Sequence, residues 1–94
     1  MSEQDKMQKY FNVLGDKTRY TLFSRMVNNC ESCVSELAED LKITPAGASQ
    51  QLKIMEEAGI LKRVRKGQRV CHEVNKDDPQ VKKIIALIKA EGVA

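Results

Sequence analysis

The chain lacks the residues on which several protein classes depend. It contains no tryptophan, two tyrosines, two phenylalanines and one histidine, so its core must be mainly aliphatic. No apolar run approaches the roughly 20 residues that a membrane-spanning helix needs. The start of the chain, MSEQDKMQKY, is too polar to resemble a secretory signal. We therefore expect a cytoplasmic protein with no membrane partner, in which thiols stay mostly reduced.

The scarcity of catalytic residue types also argues against an enzyme. One histidine, no Ser/His/Asp constellation and no glycine-rich phosphate loop leave no reaction to assign. The net charge of +3 permits a nucleic-acid partner without requiring one. The 94 residues fit a single domain, residues 1–94, whose small core favours support from a second subunit.

Helical periodicity dominates the chain as far as Gly59. Apolar residues at helical spacing predict a first helix over about residues 4–14, which Gly15 should end. A second helix should follow over about residues 16–29, with Asp16 as its cap. Both helices would place one apolar face against a common core.

Two further helices should follow in quick succession. Ser35 is a good N-cap residue for a short helix over residues 36–41. Thr44 is a good N-cap for a longer one, and Pro45 suits its first position, where a missing N–H costs nothing. A short helix, a tight turn and a longer helix form a helix-turn-helix.

The pattern changes to a strand period after the fourth helix. The stretches ILKRVR and RVCHEV predict two short strands around a turn that contains Gly67. A final helix, about residues 79–91, should begin after Asp78. The expected fold is mainly α with a small β-hairpin, a dimeric winged helix-turn-helix with the element order α-α-α-α-β-β-α.

Three stretches carry a resemblance to a known family: LGDKTRYTLF, VSELAEDLKITPAGASQQLKIMEEAGIL and KGQRVCHEV. Over about Leu14 to Val74 the chain resembles small winged-helix repressors of the ArsR (arsenic-repressor) type. The resemblance implies a homodimeric repressor that binds operator DNA and is released when an inducer binds. A winged-helix module that binds another protein is the alternative.

The fourth helix and the hairpin should contact near-palindromic double-stranded DNA. The N-terminal residues of a recognition helix face base edges in the major groove, and basic hairpin residues suit phosphates. A solvated helix face and a solvated basic hairpin are the alternatives. The candidate contacts are Thr44, Pro45, Gly47, Ser49, Gln50, Gln51, Lys53, Arg63, Arg65, Lys66 and Arg69. Gly47 stands where such helices usually carry a larger side chain.

The terminal helices, about residues 4–14 and 79–91, carry wide apolar stripes. These stripes could cap the core of one chain, but five large aliphatics within eight residues of the last helix exceed that need. A two-fold dimer would bury the surplus and present two recognition helices about one DNA turn apart. The candidate interface residues are Met7, Tyr10, Phe11, Leu14, Val81, Ile84, Ile85 and Ile88.

The three cysteines leave several alternatives open. Cys30 and Cys33 lie in NNCESCVSEL, and Cys71 lies in the second hairpin strand. The resemblance places Cys33 at a sensor thiol of the family, with Ser35 where a second would stand. In a winged helix the link before the third helix often pairs with the second hairpin strand, so Cys71 should lie near Cys33.

No cofactor is required by any of these alternatives. The cysteines are inert packing residues, a site for a soft thiophilic metal(loid) ion such as arsenite, cadmium or lead, or a thiol redox or persulfide sensor. Cys71 and His72 should point to opposite faces of their strand, so both should not bind one ion. The last helix has no histidine, which argues against a zinc site there.

Overall fold

The predicted order of helices and strands is confirmed, with one short strand added. The computed structural model describes residues 2–28 and 32–91. Its elements are α1 (Glu3–Leu14), α2 (Lys17–Asn28), β1 (Ser32–Cys33), α3 (Val34–Leu41), α4 (Pro45–Ala58), β2 (Leu61–Lys66), β3 (Arg69–Val74) and α5 (Pro79–Ala90). None of the described helices is both long and apolar enough to cross a membrane.

Local capping signals determine where α4 and α5 begin. The Thr44 hydroxyl accepts a hydrogen bond from the backbone N–H of Gly47 at 3.0 Å, and the next residue is the predicted proline. The Asp78 carboxylate accepts in the same way from Gln80 at 2.9 Å. Gly59 ends α4 with φ of 93°, a left-handed conformation that glycine adopts without strain. All three predicted caps are confirmed.

The predicted cap of α3 is wrong. This helix begins at Val34, and its N-cap is Cys33, whose side chain makes no capping hydrogen bond. Ser35 lies exposed in the first turn. The reason is a long-range contact: pairing of β1 with β3 holds Cys33 in extended geometry, so the helical conformation starts immediately after it.

The three strands form an antiparallel sheet in the order β1-β3-β2. Cys33 lies opposite Cys71, and Ser32 lies opposite His72. The expected pairing of the link before α3 with the second hairpin strand is therefore confirmed. β3 becomes the central strand, which ties the hairpin to the start of the helix-turn-helix.

Helices α1, α2, α4 and α5 pack around one aliphatic core with a polar link at its edge. The largest fully buried side chains are Tyr10, Leu22, Phe23, Met26, Leu52, Met55, Ile60, Cys71 and Val81. The Tyr10 hydroxyl donates to the Asp78 carboxylate at 2.6 Å, and the Lys6 ammonium lies 2.6 Å from the same oxygen. Burial raises the pKa of Asp78, but these donors and the Gln80 N–H outweigh it and lower the pKa to about 2. The charged carboxylate thus joins α1 to the start of α5.

Candidate nucleic-acid interface and cysteine pair

The outer face of α4 is polar and accessible. Its inner face is fully buried through Ala48, Leu52 and Met55. This burial turns the opposite face outward, where the exposed residues near the start of the helix are Thr44, Pro45, Ala46, Ser49, Gln50 and Lys53. Within the described chain, Ser49 and Gln50 engage no other side chain. Ala46 was missed in the sequence because its small side chain carries no polar signal.

Gly47 has a local explanation. A Cβ at this position would lie 3.1 Å from the Thr44 hydroxyl, closer than ordinary contacts allow. That hydroxyl is already committed to the Gly47 N–H. Glycine therefore makes room for the cap of α4, and the structure gives this predicted contact residue a role inside the helix.

Gln51 occupies the flank of α4 instead of its outer face. Its side chain is half-buried, and its amide oxygen accepts a hydrogen bond from the Arg19 guanidinium at 2.9 Å. Of the two glutamines predicted to face DNA, Gln50 is exposed and Gln51 is held by α2. A single sequence does not reveal this difference, since both positions are polar.

The hairpin carries the basic residues on an exposed surface. The Arg63 guanidinium lies 3.3 Å from Glu56, and the Arg69 guanidinium lies 3.6 Å from Glu36. Their side chains are 58% and 63% exposed, so these ion pairs are weak and a phosphate can replace the carboxylate. The side chains of Arg65 and Lys66 are also exposed, near the turn.

His72 and Cys71 engage different partners, as the strand alternation predicted. His72 is buried, and its Nε2 lies 2.9 Å from a carboxylate oxygen of Glu56 on α4. This hydrogen bond, with a smaller contribution from Arg63, lowers the pKa of Glu56. The histidine therefore serves as a link between β3 and the recognition helix.

Cys33 and Cys71 form a disulfide bond, with their Cα atoms 4.3 Å apart. Cys71 is 1% exposed and Cys33 is half-buried. The predicted proximity of these two residues is confirmed, while Cys30 lies outside the described residues. Among residues 2–28 and 32–91, no three histidine, cysteine or acidic side chains lie close enough to hold a metal ion.

Comparison with known proteins agrees with the arrangement of α3, α4 and the hairpin. Residues 25–63 match the family model described as bacterial regulatory protein, arsR family. An uncharacterized HTH-type transcriptional regulator of Methanocaldococcus jannaschii is 30% identical over 88 residues, which cover 94% of this chain and 97% of that protein. The chain belongs to the arsR family of bacterial regulatory proteins.

Two further members place this arsR-family chain in context. The arsenic resistance transcriptional regulator ArsR1 of Pseudomonas putida is 36% identical over 70 residues, and the match spans 74% of this chain but 55% of that protein. The homodimeric winged helix-turn-helix DNA-binding domain of a possible ArsR-family regulator from Mycobacterium bovis superposes with a TM-score of 0.78 at 18% identity. That match covers 98% of this chain and 87% of the Mycobacterium bovis chain.

The arsR-family chain has an apolar groove between α1 and α5. It has a volume of about 320 Å³, and its lining includes Phe11, Leu14, Gly15, Tyr20, Ile84 and Leu87. Phe11 and Leu87 are 52% and 57% exposed, which is unusual for side chains of this size. The interface prediction omitted Leu87, although helical spacing placed it on the apolar stripe.

The structure narrows the set of predicted interface residues. Five of them, Tyr10, Leu14, Val81, Ile84 and Ile88, are buried within a single chain and belong to its core. Met7 and Ile85 are half-buried against that core. The alternative that these stripes cap one chain therefore explains most of them, and the exposed surplus is centred on Phe11 and Leu87.

Proposed function

We propose that this arsR-family regulator acts in the cytoplasm as a homodimeric repressor that binds a near-palindromic operator. The observation that carries the proposal is the accessible polar face of α4 beside an exposed basic hairpin. Gln50 has the amide geometry to pair with an adenine edge, whereas Lys53 and Arg65 suit phosphates. Sequence preference would then come from α4 and most of the affinity from the basic residues.

The α1–α5 groove supports the homodimeric part of the proposal. Phe11 and Leu87 expose apolar surface on one side of the molecule, away from the polar face of α4 that would meet DNA. A two-fold axis there would pack the same patch of two chains together, as isologous dimers do. The related Mycobacterium bovis domain is a homodimer. Two copies of α4 about 34 Å apart would match successive turns of the major groove.

A salt titration of DNA binding tests the proposed function. The protein is mixed with a pool of random duplexes, and the duplexes it retains are enriched and sequenced. We expect a two-fold symmetric preferred sequence, and an affinity that falls steeply as salt rises because phosphate contacts release counterions. Negligible duplex binding even at low salt would instead support the rival function, a protein-interaction module.

A second candidate function, thiol sensing, rests on the Cys33–Cys71 bond. The two thiols would lose two protons and two electrons when the bond forms, and a low-molecular-weight disulfide would accept them and leave as two thiols. The bond joins β3 to the residue before α3. The oxidised protein would therefore hold the hairpin and the helix-turn-helix in one fixed relation and bind the operator more tightly.

Operator affinity measured with and without a reducing agent tests this sensing function. We expect weaker binding after reduction, and Cys33→Ser should bind at the weaker level in both conditions. Cys30→Ser, which leaves the bonded pair in place, is the matched control. Equal affinity of the oxidised and reduced wild type would refute thiol sensing while leaving the repressor function standing.

Binding of a soft metal(loid) by the reduced cysteines is the other form of sensing that we propose. Thiolates are the ligands that thiophilic ions prefer, and the Pseudomonas putida relative is an arsenic resistance regulator. Arsenite would compete with the disulfide for the same two sulfurs. Arsenite should then block oxidant-driven formation of the Cys33–Cys71 bond, and an unchanged rate of bond formation would contradict the proposal.

A further inference from the structure

Arg19 connects three parts of the fold through one side chain and its own backbone. Its guanidinium Nε donates to the carbonyl oxygen of Val13 at 2.7 Å, and its Nη1 donates to the side-chain oxygen of Gln51 at 2.9 Å. Its backbone N–H donates to the carboxylate of Asp16 at 3.1 Å, the predicted cap of α2. The side chain thus joins the end of α1 to the flank of α4.

The contact at α1 satisfies a group that the helix cannot satisfy itself. Val13 lies in the last turn of α1, where carbonyl oxygens have no partner further along the helix. The next two residues, Leu14 and Gly15, line the apolar groove that faces away from the core. The position of the guanidinium therefore follows the position of the groove wall.

The contact at α4 lies beside the surface that would read DNA. Gln51 follows Ser49 and Gln50, the two exposed polar residues of the outer face. An arginine fork is planar and rigid, so two donors on one guanidinium keep a fixed geometry. A change in the last turn of α1 would consequently be passed to the N-terminal half of α4.

We propose that Arg19 is a positioning residue that couples the α1–α5 groove to the orientation of α4. Filling the groove with a second copy of the chain would fix the last turn of α1, and Arg19 would pass that constraint to Gln51. Ser49 and Gln50 would then meet base edges in the correct orientation only in the dimer. The proposal rests on the proposed function, because it assigns the dimer and the operator to these two surfaces.

The first test compares specific with non-specific DNA binding in variants of the pair. Arg19→Lys keeps the charge but loses the rigid fork, and Gln51→Met keeps the volume but loses the acceptor. Each should lower the ratio of preferred-duplex to random-duplex affinity about tenfold, within the range for coupled neighbours. The double variant should lose no more than either single variant. Arg25→Lys, which alters an exposed ion pair with Asp40 on the same helix, is the matched control.

The outcomes separate a positioning role from a structural one. Variants that melt earlier but keep the wild-type specificity ratio would overturn the proposal, as would additive effects of the two substitutions. A wild type that shows no sequence preference would overturn the proposed function and this inference together. Specific binding that is insensitive to both variants would overturn the inference alone.

A second test needs no DNA. Leu87→Glu should disrupt the dimer by placing a charge in the groove, and hydrogen exchange then reports on the backbone of α4. We expect faster exchange in the last turn of α1 and the N-terminal half of α4 when the wild-type groove is disrupted. In the Arg19→Lys background the change should stay confined to α1. Identical exchange in α4 with and without Leu87→Glu would contradict the coupling.

Discussion

The hairpin differs at its two ends. At its base, β3 is bonded to Cys33, His72 contacts Glu56 on α4, and the Asn75 amide donates to the Gly59 carbonyl at 2.9 Å. At its tip, residues 65–70 are all exposed and extend beyond the core. The base therefore fixes where the hairpin lies relative to α4, and the tip is left accessible for a partner. Substitutions at the base should change stability, and substitutions at the tip should change binding.

Loss of the disulfide should have the largest effect at the base. The bond closes a loop between residues 38 positions apart, which restricts the unfolded chain. We expect Cys33→Ser to lower the free energy of unfolding by about 2–4 kcal/mol under oxidising conditions. Urea unfolding measures this loss, which should vanish when both proteins are reduced. A loss of the same size in reductant would show that packing of the Cys33 side chain, and not the bond, is responsible.

The contact between His72 and Glu56 should have the next largest effect. Glu56→Gln keeps the shape but removes the negative charge that faces His72 and Arg63, and should cost about 1–2 kcal/mol of stability. Chemical unfolding at neutral pH measures the difference. Glu57→Gln, which alters an exposed neighbour on the same helix, is the control.

The same contact predicts a dependence on pH. The pKa of Glu56 is lowered in the folded state from its ordinary value of 4.5. A carboxylate with a lowered folded pKa stabilises the fold above its unfolded pKa, and that contribution is lost as the pH falls through the folded value. Wild-type stability should therefore decline below about pH 4.5, and Glu56→Gln should decline less over the same window. Parallel pH profiles would exclude this origin of the stabilisation.

The turn at the tip should show a smaller effect on stability. Gly67 has φ of 62°, a conformation that costs other residues about 1–2 kcal/mol, and a Cβ added there would meet no atom within 4 Å. Gly67→Ala should therefore destabilise by about 1 kcal/mol through the backbone alone. Gly67→Asn is the matched control, because asparagine tolerates this conformation better. Thermal unfolding that ranks alanine above asparagine would contradict the explanation.

The boundary between what the sequence predicts and what it does not follows the range of the interaction. Thr44, Gly59 and Asp78 act on residues within a turn of themselves, and each was predicted correctly. The start of α3 was predicted wrongly because Cys33 is held by a strand 38 residues away. Local pattern alone does not contain that pairing.

The same reasoning applies to the two candidate surfaces. Helical spacing identifies which residues share a face, but it does not show how deeply one chain buries that face. Val81 and Leu87 both lie on the apolar stripe of α5, yet the first is fully buried and the second is 57% exposed. Gln50 and Gln51 differ in the same way, since the Arg19 contact that holds Gln51 comes from a distant helix.

The tip of the hairpin should matter least for stability and most visibly for the salt dependence of binding. Arg65→Ala removes an exposed charge, so the free energy of unfolding should change by no more than about 0.5 kcal/mol. If Arg65 meets a phosphate, affinity should fall about equally for preferred and random duplexes, and the salt slope should decrease by about one unit per dimer contact. Gln50→Ala should do the opposite and reduce the preference for the selected duplex with the slope unchanged. Equal, sequence-blind losses from both variants would mean that α4 and the hairpin share one electrostatic role, and the division between a reading helix and a phosphate-binding hairpin would have to be abandoned.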